Sequence, residues 1–103
     1  MLQTTTAPGP APTIYLVGEM DLDCSDLLRE AVADAARGAE MVVLDFDRVE
    51  FIDSSGTGIF VRICLDMKSQ GTPLMARRLS PAVRGIFDML RVRDLVGEEV
   101  FCD

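Results

Sequence analysis

Residues 41–46 constrain the fold of this 103-residue chain more than any other stretch. They read Met-Val-Val-Leu-Asp-Phe and stay apolar on both faces up to Asp45. A strand that is buried on both faces lies inside a sheet, usually between parallel neighbours. Parallel strands need long crossover connections, which are usually helices. The segment therefore predicts an α/β domain in which residues 41–46 form a central strand.

Segments of strand and helix character alternate along the chain. Four of the five residues 13–17 are β-branched or aromatic, and the apolar side chains at 27–35 fall at helical spacing. Ser80-Pro81 predicts another helix start, because a capping hydroxyl precedes a proline at the first helical position. The predicted strands are 2–6, 13–17, 41–46 and 74–79. The predicted helices run from a cap at Asp23 or Ser25 to Gly38, from Ser55 or Gly56 to about Gln70, and from Pro81 to about Leu90, and residues 95–101 add a turn and an edge strand.

We predict one α/β domain with a mixed, mostly parallel sheet of four to five strands and three to four helices. Residues 1–12 form an N-terminal strand or a flexible segment, because residues 7–12 are rich in proline. Residues 13–103 form the domain itself.

The composition excludes several classes of chemistry. The chain has no histidine, which removes Ser-His-Asp and Cys-His catalysis, phosphohistidine transfer and most zinc sites. It also has no Gly-x-x-x-x-Gly-Lys loop for nucleotide phosphates. We therefore expect no catalytic residue, no metal and no cofactor.

Charge and cysteine content indicate the environment of the protein. A formal net charge of −7 argues against nucleic-acid binding and against binding to an anionic membrane. No secretory signal and no apolar run of membrane-spanning length is visible, so we expect a soluble, cytoplasmic protein. An odd number of cysteines suits a reducing compartment, with Cys64 in the core and Cys24 and Cys102 as candidates for redox chemistry.

Two further features bear on partner binding. Val61 and Leu65 lie off the main apolar stripe of their helix, and we predict that burial, rather than a partner, covers them. The last third of the chain carries an arginine cluster that forms either a solvated face or one edge of a protein-binding surface. Its members are Arg77, Arg78, Arg84, Arg91 and Arg93.

An acidic pair follows the central strand. Asp45 and Asp47 stand in the sequence Asp-Phe-Asp-Arg-Val, which resembles the first motif of haloacid-dehalogenase-type phosphatases. In that family the first carboxylate attacks phosphorus, and both carboxylates bind magnesium. The chain after Val49 is short for the remaining parts of such an enzyme. A small magnesium-dependent phosphatase is therefore a remote alternative.

The turn Asp53-Ser54-Ser55-Gly56 places a hydroxyl beside a carboxylate at the start of a helix. Such a place can hold an anion or receive a phosphoryl group. The same tetrapeptide can also be a simple helix cap. Taken alone, these residues leave both interpretations open.

The residues around this turn resemble the signature of STAS domains, and more narrowly that of the bacterial anti-sigma factor antagonists. Residues 42–46 and 49–58 carry the central part of the resemblance. Gly18-Glu19-Met20-Asp21 is similar to the end of the family's second strand. Residues 27–36 match its first helix, and residues 79–84 and 90–95 match its last helix and tail. The resemblance covers about residues 13–101, and Thr57 departs from it where leucine is common.

The resemblance implies a regulatory protein rather than an enzyme. In that family the serine directly after the aspartate is phosphorylated, which would be Ser54 here. Ser55 is the second choice as acceptor and the predicted helix cap. The unphosphorylated protein would bind an anti-sigma factor with serine kinase activity and so release a sigma factor. Phosphorylation would break that contact, and a serine phosphatase would restore it.

The resemblance also implies which residues surround the switch and which other role is open. The predicted surroundings are Asp21, Asp53, Ser55, Gly56, Thr57 and Gly58. STAS domains also serve as interaction or ligand-sensing modules in transport and stress-signalling complexes. A non-switching module of that kind is the alternative function.

Overall fold

Five strands form one mixed sheet, and their order in the sheet follows their order along the chain. The computed structural model describes residues 1–102. The strands are β1 (Leu2–Ala7), β2 (Thr13–Met20), β3 (Val42–Ile52), β4 (Leu74–Arg77) and β5 (Phe101–Cys102). β1 is antiparallel to β2, and all later neighbours are parallel. The predicted mixed, mostly parallel sheet with a strand at each end is confirmed.

The helices cover one face of this sheet. They are α1 (Ser25–Ala36), α2 (Ser54–Ser69), α3 (Pro81–Met89) and α4 (Val92–Val96), with 3-10 turns at Leu22–Cys24 and Glu98–Val100. The ring of Phe46 in β3 packs edge-on against Phe60 in α2 and against Phe87 in α3. Each parallel connection leads from one strand to its next neighbour, always in the same direction across the sheet. Because such connections are right-handed, their helices all lie on the same face. The domain therefore has two layers.

The core lies between the sheet and the helices. Phe46, Phe60 and Phe87 form its aromatic centre, with ring centroids 5.1 to 5.8 Å apart. Alternation along β2 distinguishes the two faces of the sheet, because Leu16 is buried whereas Tyr15 is only half-buried. One face of the sheet thus meets the helices, and the other is partly open to solvent.

β3 is longer than the predicted strand 41–46. The polar pair Asp47 and Arg48 interrupts the apolar run, but irregular pairing opposite β2 accommodates it. Beyond that irregularity Val49 pairs with Gly18, and Ile52 pairs with Met20. The extension brings the C-terminal ends of β2 and β3 side by side, which determines where α2 begins.

The first helix begins differently from the prediction. A 3-10 turn precedes it, and the side chain of Asp21 caps that turn by accepting a hydrogen bond from the Asp23 N–H at 3.0 Å. α1 follows directly, with Cys24 at its N-cap position and no side-chain cap. The predicted cap at Asp23 or Ser25 is therefore wrong, because the chain is already turned and capped at Asp21.

A buried carboxylate lies on the partly open face of the sheet. Asp45 is 2% exposed. Its Oδ1 accepts a hydrogen bond from the Asp47 N–H at 3.0 Å, and its Oδ2 accepts from Nε of Arg77 at 3.0 Å and of Arg78 at 2.8 Å. Burial opposes the charged form, but the hydrogen bonds and the guanidinium charges outweigh it and hold the pKa of Asp45 below its usual range.

Replacing Asp45 by asparagine is expected to lower the free energy of unfolding by about 2 kcal/mol at pH 7. The pKa of an aspartate in the unfolded chain is about 3.9, and the pKa of Asp45 in the folded protein is lower. The ionised carboxylate therefore stabilises the fold fully above the unfolded pKa. This stabilisation is lost as the pH falls through the folded pKa. The difference between the wild type and Asp45→Asn should therefore shrink below about pH 4. Urea unfolding at pH 7 and at several acidic pH values measures it, with the exposed Asp47→Asn as control. A difference that stays constant down to pH 3 would contradict this explanation.

Candidate functional site

Asp53 determines where α2 begins. It is the N-cap residue, and its Oδ1 accepts a hydrogen bond from the Gly56 N–H at 2.8 Å. Its carbonyl oxygen accepts from the N–H of Thr57 at 3.0 Å and from the Thr57 hydroxyl at 2.9 Å. The prediction that Ser55 caps this helix is therefore wrong, because the helix starts one residue earlier and the aspartate takes that role.

Ser54 and Ser55 are the first two residues of α2, and both are exposed. Neither hydroxyl forms a hydrogen bond with another group in residues 1–102. Since Asp53 already satisfies the cap, both hydroxyls are available to another molecule. They lie at the positive end of a 16-residue helix, where a negative group is partly stabilised.

The end of β2 holds this helix start in place. The carbonyl oxygen of Met20 accepts a hydrogen bond from the Asp53 N–H at 3.3 Å. Gly56 packs against the same carbonyl so closely that a Cβ atom on it would overlap the Met20 oxygen. Asp21 comes next in the chain, so the structure places it beside Asp53 at the same sheet edge. Of these two aspartates, Asp53 directly adjoins the exposed hydroxyl of Ser54, whereas the Asp21 side chain caps the 3-10 turn before α1.

An apolar groove begins at Ser54 and runs along α2. Thr57 is buried at its floor, and Gly58 is exposed. Val61 is half-buried, and Leu65 is 43% exposed on the wall of the groove. The prediction that burial covers this second face of α2 is therefore wrong for Leu65. The off-stripe position of this leucine was the sequence signal for the groove.

The opposite wall of the groove comes from residues that were not predicted as part of the site. Leu90 follows α3, and Val92 and Leu95 belong to α4. The short helix α4 starts after Arg91, which adopts the left-handed conformation with φ +56°. No local pattern in the sequence marks that start, because a non-glycine residue seldom takes this conformation.

Replacing Asp53 by alanine is expected to cost about 1 kcal/mol of unfolding free energy, because it removes the cap of α2. Ser55→Ala should change the stability by less than about 0.5 kcal/mol, since its hydroxyl has no partner in the fold. Chemical denaturation of both variants beside the wild type measures the difference. Equal losses in the two variants would contradict the assignment of the cap to Asp53.

The arginines of the last third are largely engaged within the chain. Arg77 and Arg78 bind Asp45. Arg91 pairs with Asp94 at 2.9 Å, and Arg93 pairs with Glu98 at 3.0 Å. Of the two interpretations, the structure thus favours a solvated face with internal ion pairs over one edge of a protein-binding surface.

Two of the three cysteines are buried. Burial raises the pKa of the Cys64 thiol to about 12, so this residue is an inert part of the core, as predicted. Burial, together with the charges of Asp21 and Asp53, raises the pKa of the Cys24 thiol. Cys102 is exposed, and all three cysteines are free thiols. A raised pKa disfavours Cys24 as a candidate for redox chemistry.

The geometry also disfavours the phosphatase alternative. Both oxygens of Asp45 are engaged by Asp47 and the two arginines, so the carboxylate is not free to attack phosphorus. Among residues 1–102 no cluster of three potential metal ligands is present. The exposed hydroxyl at the start of α2 is the stronger candidate for phosphoryl chemistry.

The sequence and the fold both match known proteins. A family model described as Mlab, STAS domain matches residues 4–97. The anti-sigma-B factor antagonist of Bacillus subtilis strain 168 is 31% identical over 84 residues, which cover 81% of this chain and 76% of that protein. This chain belongs to the STAS domain family of anti-sigma factor antagonists.

Solved structures share the fold of this chain. The unphosphorylated form of the anti-sigma factor antagonist SpoIIAA superposes with a TM-score of 0.72 at 21% identity, covering 100% of this chain and 87% of that one. A sulfate transporter family protein from Wolinella succinogenes gives 0.76 at 18% identity, covering 94% and 80%. Among residues 1–102, none of the helices combines the length and hydropathy needed to cross a bilayer.

Proposed function

We propose that this STAS protein is an anti-sigma factor antagonist controlled by phosphorylation of Ser54. In its unphosphorylated form it binds an anti-sigma factor that is also a serine kinase, and a sigma factor is released. The kinase phosphorylates Ser54 and thereby ends the interaction. A serine phosphatase resets the protein, which itself performs no catalytic step.

The observation that carries this proposal is the free, exposed hydroxyl of Ser54 as the first residue of α2. A kinase needs an acceptor hydroxyl that is exposed and forms no hydrogen bond within the fold. Ser55 has similar exposure, but Ser54 adjoins Asp53 and also lines the apolar groove. A phosphoryl group on Ser54 would therefore stand between the Asp53 carboxylate and an apolar contact surface.

The named relative supports the same partner class. The Bacillus subtilis protein at 31% identity is an anti-sigma-B factor antagonist. The net charge of −7 favours a partner with a basic contact surface. A cytoplasmic location follows from this role, because sigma factors act on RNA polymerase inside the cell.

Intact-mass spectrometry after incubation with ATP tests the proposal. The purified chain is treated with each ATP-binding anti-sigma factor kinase encoded in the source genome. We expect one kinase to add a single phosphoryl group to the wild type and to Ser55→Ala, and none to Ser54→Ala. Phosphorylation of Ser54→Ala but not of Ser55→Ala would move the switch to Ser55. A wild type that gains no phosphoryl group from any of these kinases would favour a non-switching STAS module instead.

A further inference from the structure

The groove beside Ser54 has the dimensions of a helix-binding site. Its volume is about 460 Å³. The stretch of α2 from Ser54 to Leu65 rises about 16 Å, which corresponds to three helical turns. Its other wall, formed by Leu90 and Leu95, faces the same space. A single helix of about three turns fits between such walls.

We propose that this groove receives an amphipathic helix of the anti-sigma factor, with a carboxylate of that helix paired to Arg62. This inference rests on the proposed function and adds a contact surface to it. The groove supplies binding energy, and Ser54 at its end supplies the switch.

Exposed leucines on both walls favour a protein partner. Leu65 is 43% exposed, Leu90 is 39% exposed and Leu95 is 57% exposed. A contiguous apolar patch of this kind is typical of a protein contact surface. An apolar helix face with side chains at i, i+3, i+4 and i+7 would cover these leucines along the whole groove.

Arg62 sets the charge that the partner must bring. It is exposed on the wall of the groove and forms no ion pair within residues 1–102, whereas the nearby Arg91 and Arg93 are paired to Asp94 and Glu98. A guanidinium beside an apolar contact is best satisfied by a carboxylate with bidentate hydrogen bonds. The complementary helix therefore has an acidic residue at the height of Arg62, between its apolar anchors.

Small residues keep the groove open next to Ser54. Thr57 is a short, buried side chain whose hydroxyl donates a hydrogen bond to the Asp53 carbonyl oxygen, and Gly58 has no side chain. An anchor side chain of the partner helix can therefore sit beside Ser54, where a phosphoryl group would meet it directly.

Isothermal titration of the whole chain with the kinase that phosphorylates Ser54 tests this inference. We expect Leu65→Glu to raise the Kd at least about 30-fold and Arg62→Glu to raise it about 10-fold. Leu27→Glu is the matched control, because Leu27 on α1 is 40% exposed and lies outside the groove. It should stay within about twofold of the wild type. Both groove variants should raise the KM for Ser54 phosphorylation and keep kcat at saturation.

The outcomes separate this inference from the proposed function. A folded Leu65→Glu that binds within threefold of the wild type overturns the groove while leaving the switch intact. If Leu65→Glu does not fold, the Kd of Leu95→Glu is measured instead, because Leu95 is a more exposed residue on the opposite wall. A wild type that neither binds nor is phosphorylated overturns both proposals. Self-association of the wild type that Leu65→Glu abolishes, or a small apolar ligand retained in native mass spectra, would assign the groove to another occupant and also overturn the inference.

Discussion

Replacing Gly56 by alanine is expected to lower the free energy of unfolding by about 3 kcal/mol or more. The added methyl group would overlap the carbonyl oxygen of Met20 at the end of β2. This oxygen belongs to the backbone and accepts a hydrogen bond from the Asp53 N–H, so a side-chain rotation cannot relieve the overlap. The N-terminus of α2 must move away from the sheet, and Ser54 moves with it.

Gly58 provides the matched control for Gly56. It lies in the same helix, two residues later, and nothing is within 4 Å of a methyl group placed on it. Gly58→Ala should raise the stability by about 0.5 to 1 kcal/mol, because alanine is the better helix former. Urea unfolding of the wild type and the two variants measures the contrast. A Gly56→Ala variant as stable as the wild type would contradict the close contact between α2 and β2.

Phosphorylation of Ser54 is expected to raise the Kd for the anti-sigma factor about 30- to 150-fold while the domain stays folded, a loss of about 2 to 3 kcal/mol. The phosphoryl group adds about −1.5 to −2 charge next to Asp53. The N-terminus of α2 offsets only roughly 0.3 to 1 kcal/mol of that. Repulsion and desolvation inside a closed interface exceed this compensation, whereas in the free protein the phosphoryl group stays hydrated.

Isothermal titration with enzymatically phosphorylated protein measures this change in affinity. Circular dichroism and thermal unfolding of the same sample report whether the fold is kept. Ser54→Ala is the control, since treatment with kinase and ATP should leave its affinity unchanged. A phosphorylated chain that binds within threefold of the unphosphorylated chain, or one that has unfolded, would be inconsistent with a switch at the interface.

The order of the elements could be predicted because hydrophobic periodicity is strong in each of them. The apolar run at residues 41–46 indicated the central parallel strand, and Ser80-Pro81 indicated the start of α3, where the Ser80 side chain accepts from the Val83 N–H. The extension of β3 to Ile52 was missed because Asp47 and Arg48 interrupt the apolar run. β3 nevertheless continues beyond them, because its pairing with β2 shifts register and then resumes as far as Ile52.

The helix cap shows where local preference is insufficient. Asp53 and Ser55 are both good N-cap residues, and nothing in their sequence decides between them. A contact between residues that are distant in sequence selects Asp53 as the N-cap. Gly56 packs against the Met20 carbonyl oxygen, and this contact fixes the position of the first turn of α2. The groove could not be predicted from local sequence either. Part of its second wall belongs to α4, and this helix starts after Arg91, which adopts the rare left-handed conformation.

Release of a sigma factor in a reconstituted mixture tests the central claim most directly. A fluorescently labelled sigma factor is bound to its anti-sigma factor kinase, and anisotropy is followed as this chain is added. We expect unphosphorylated wild type and Ser54→Ala to release the sigma factor, and wild type phosphorylated at Ser54 to leave it bound. Equal release by the phosphorylated and unphosphorylated chains would contradict the account.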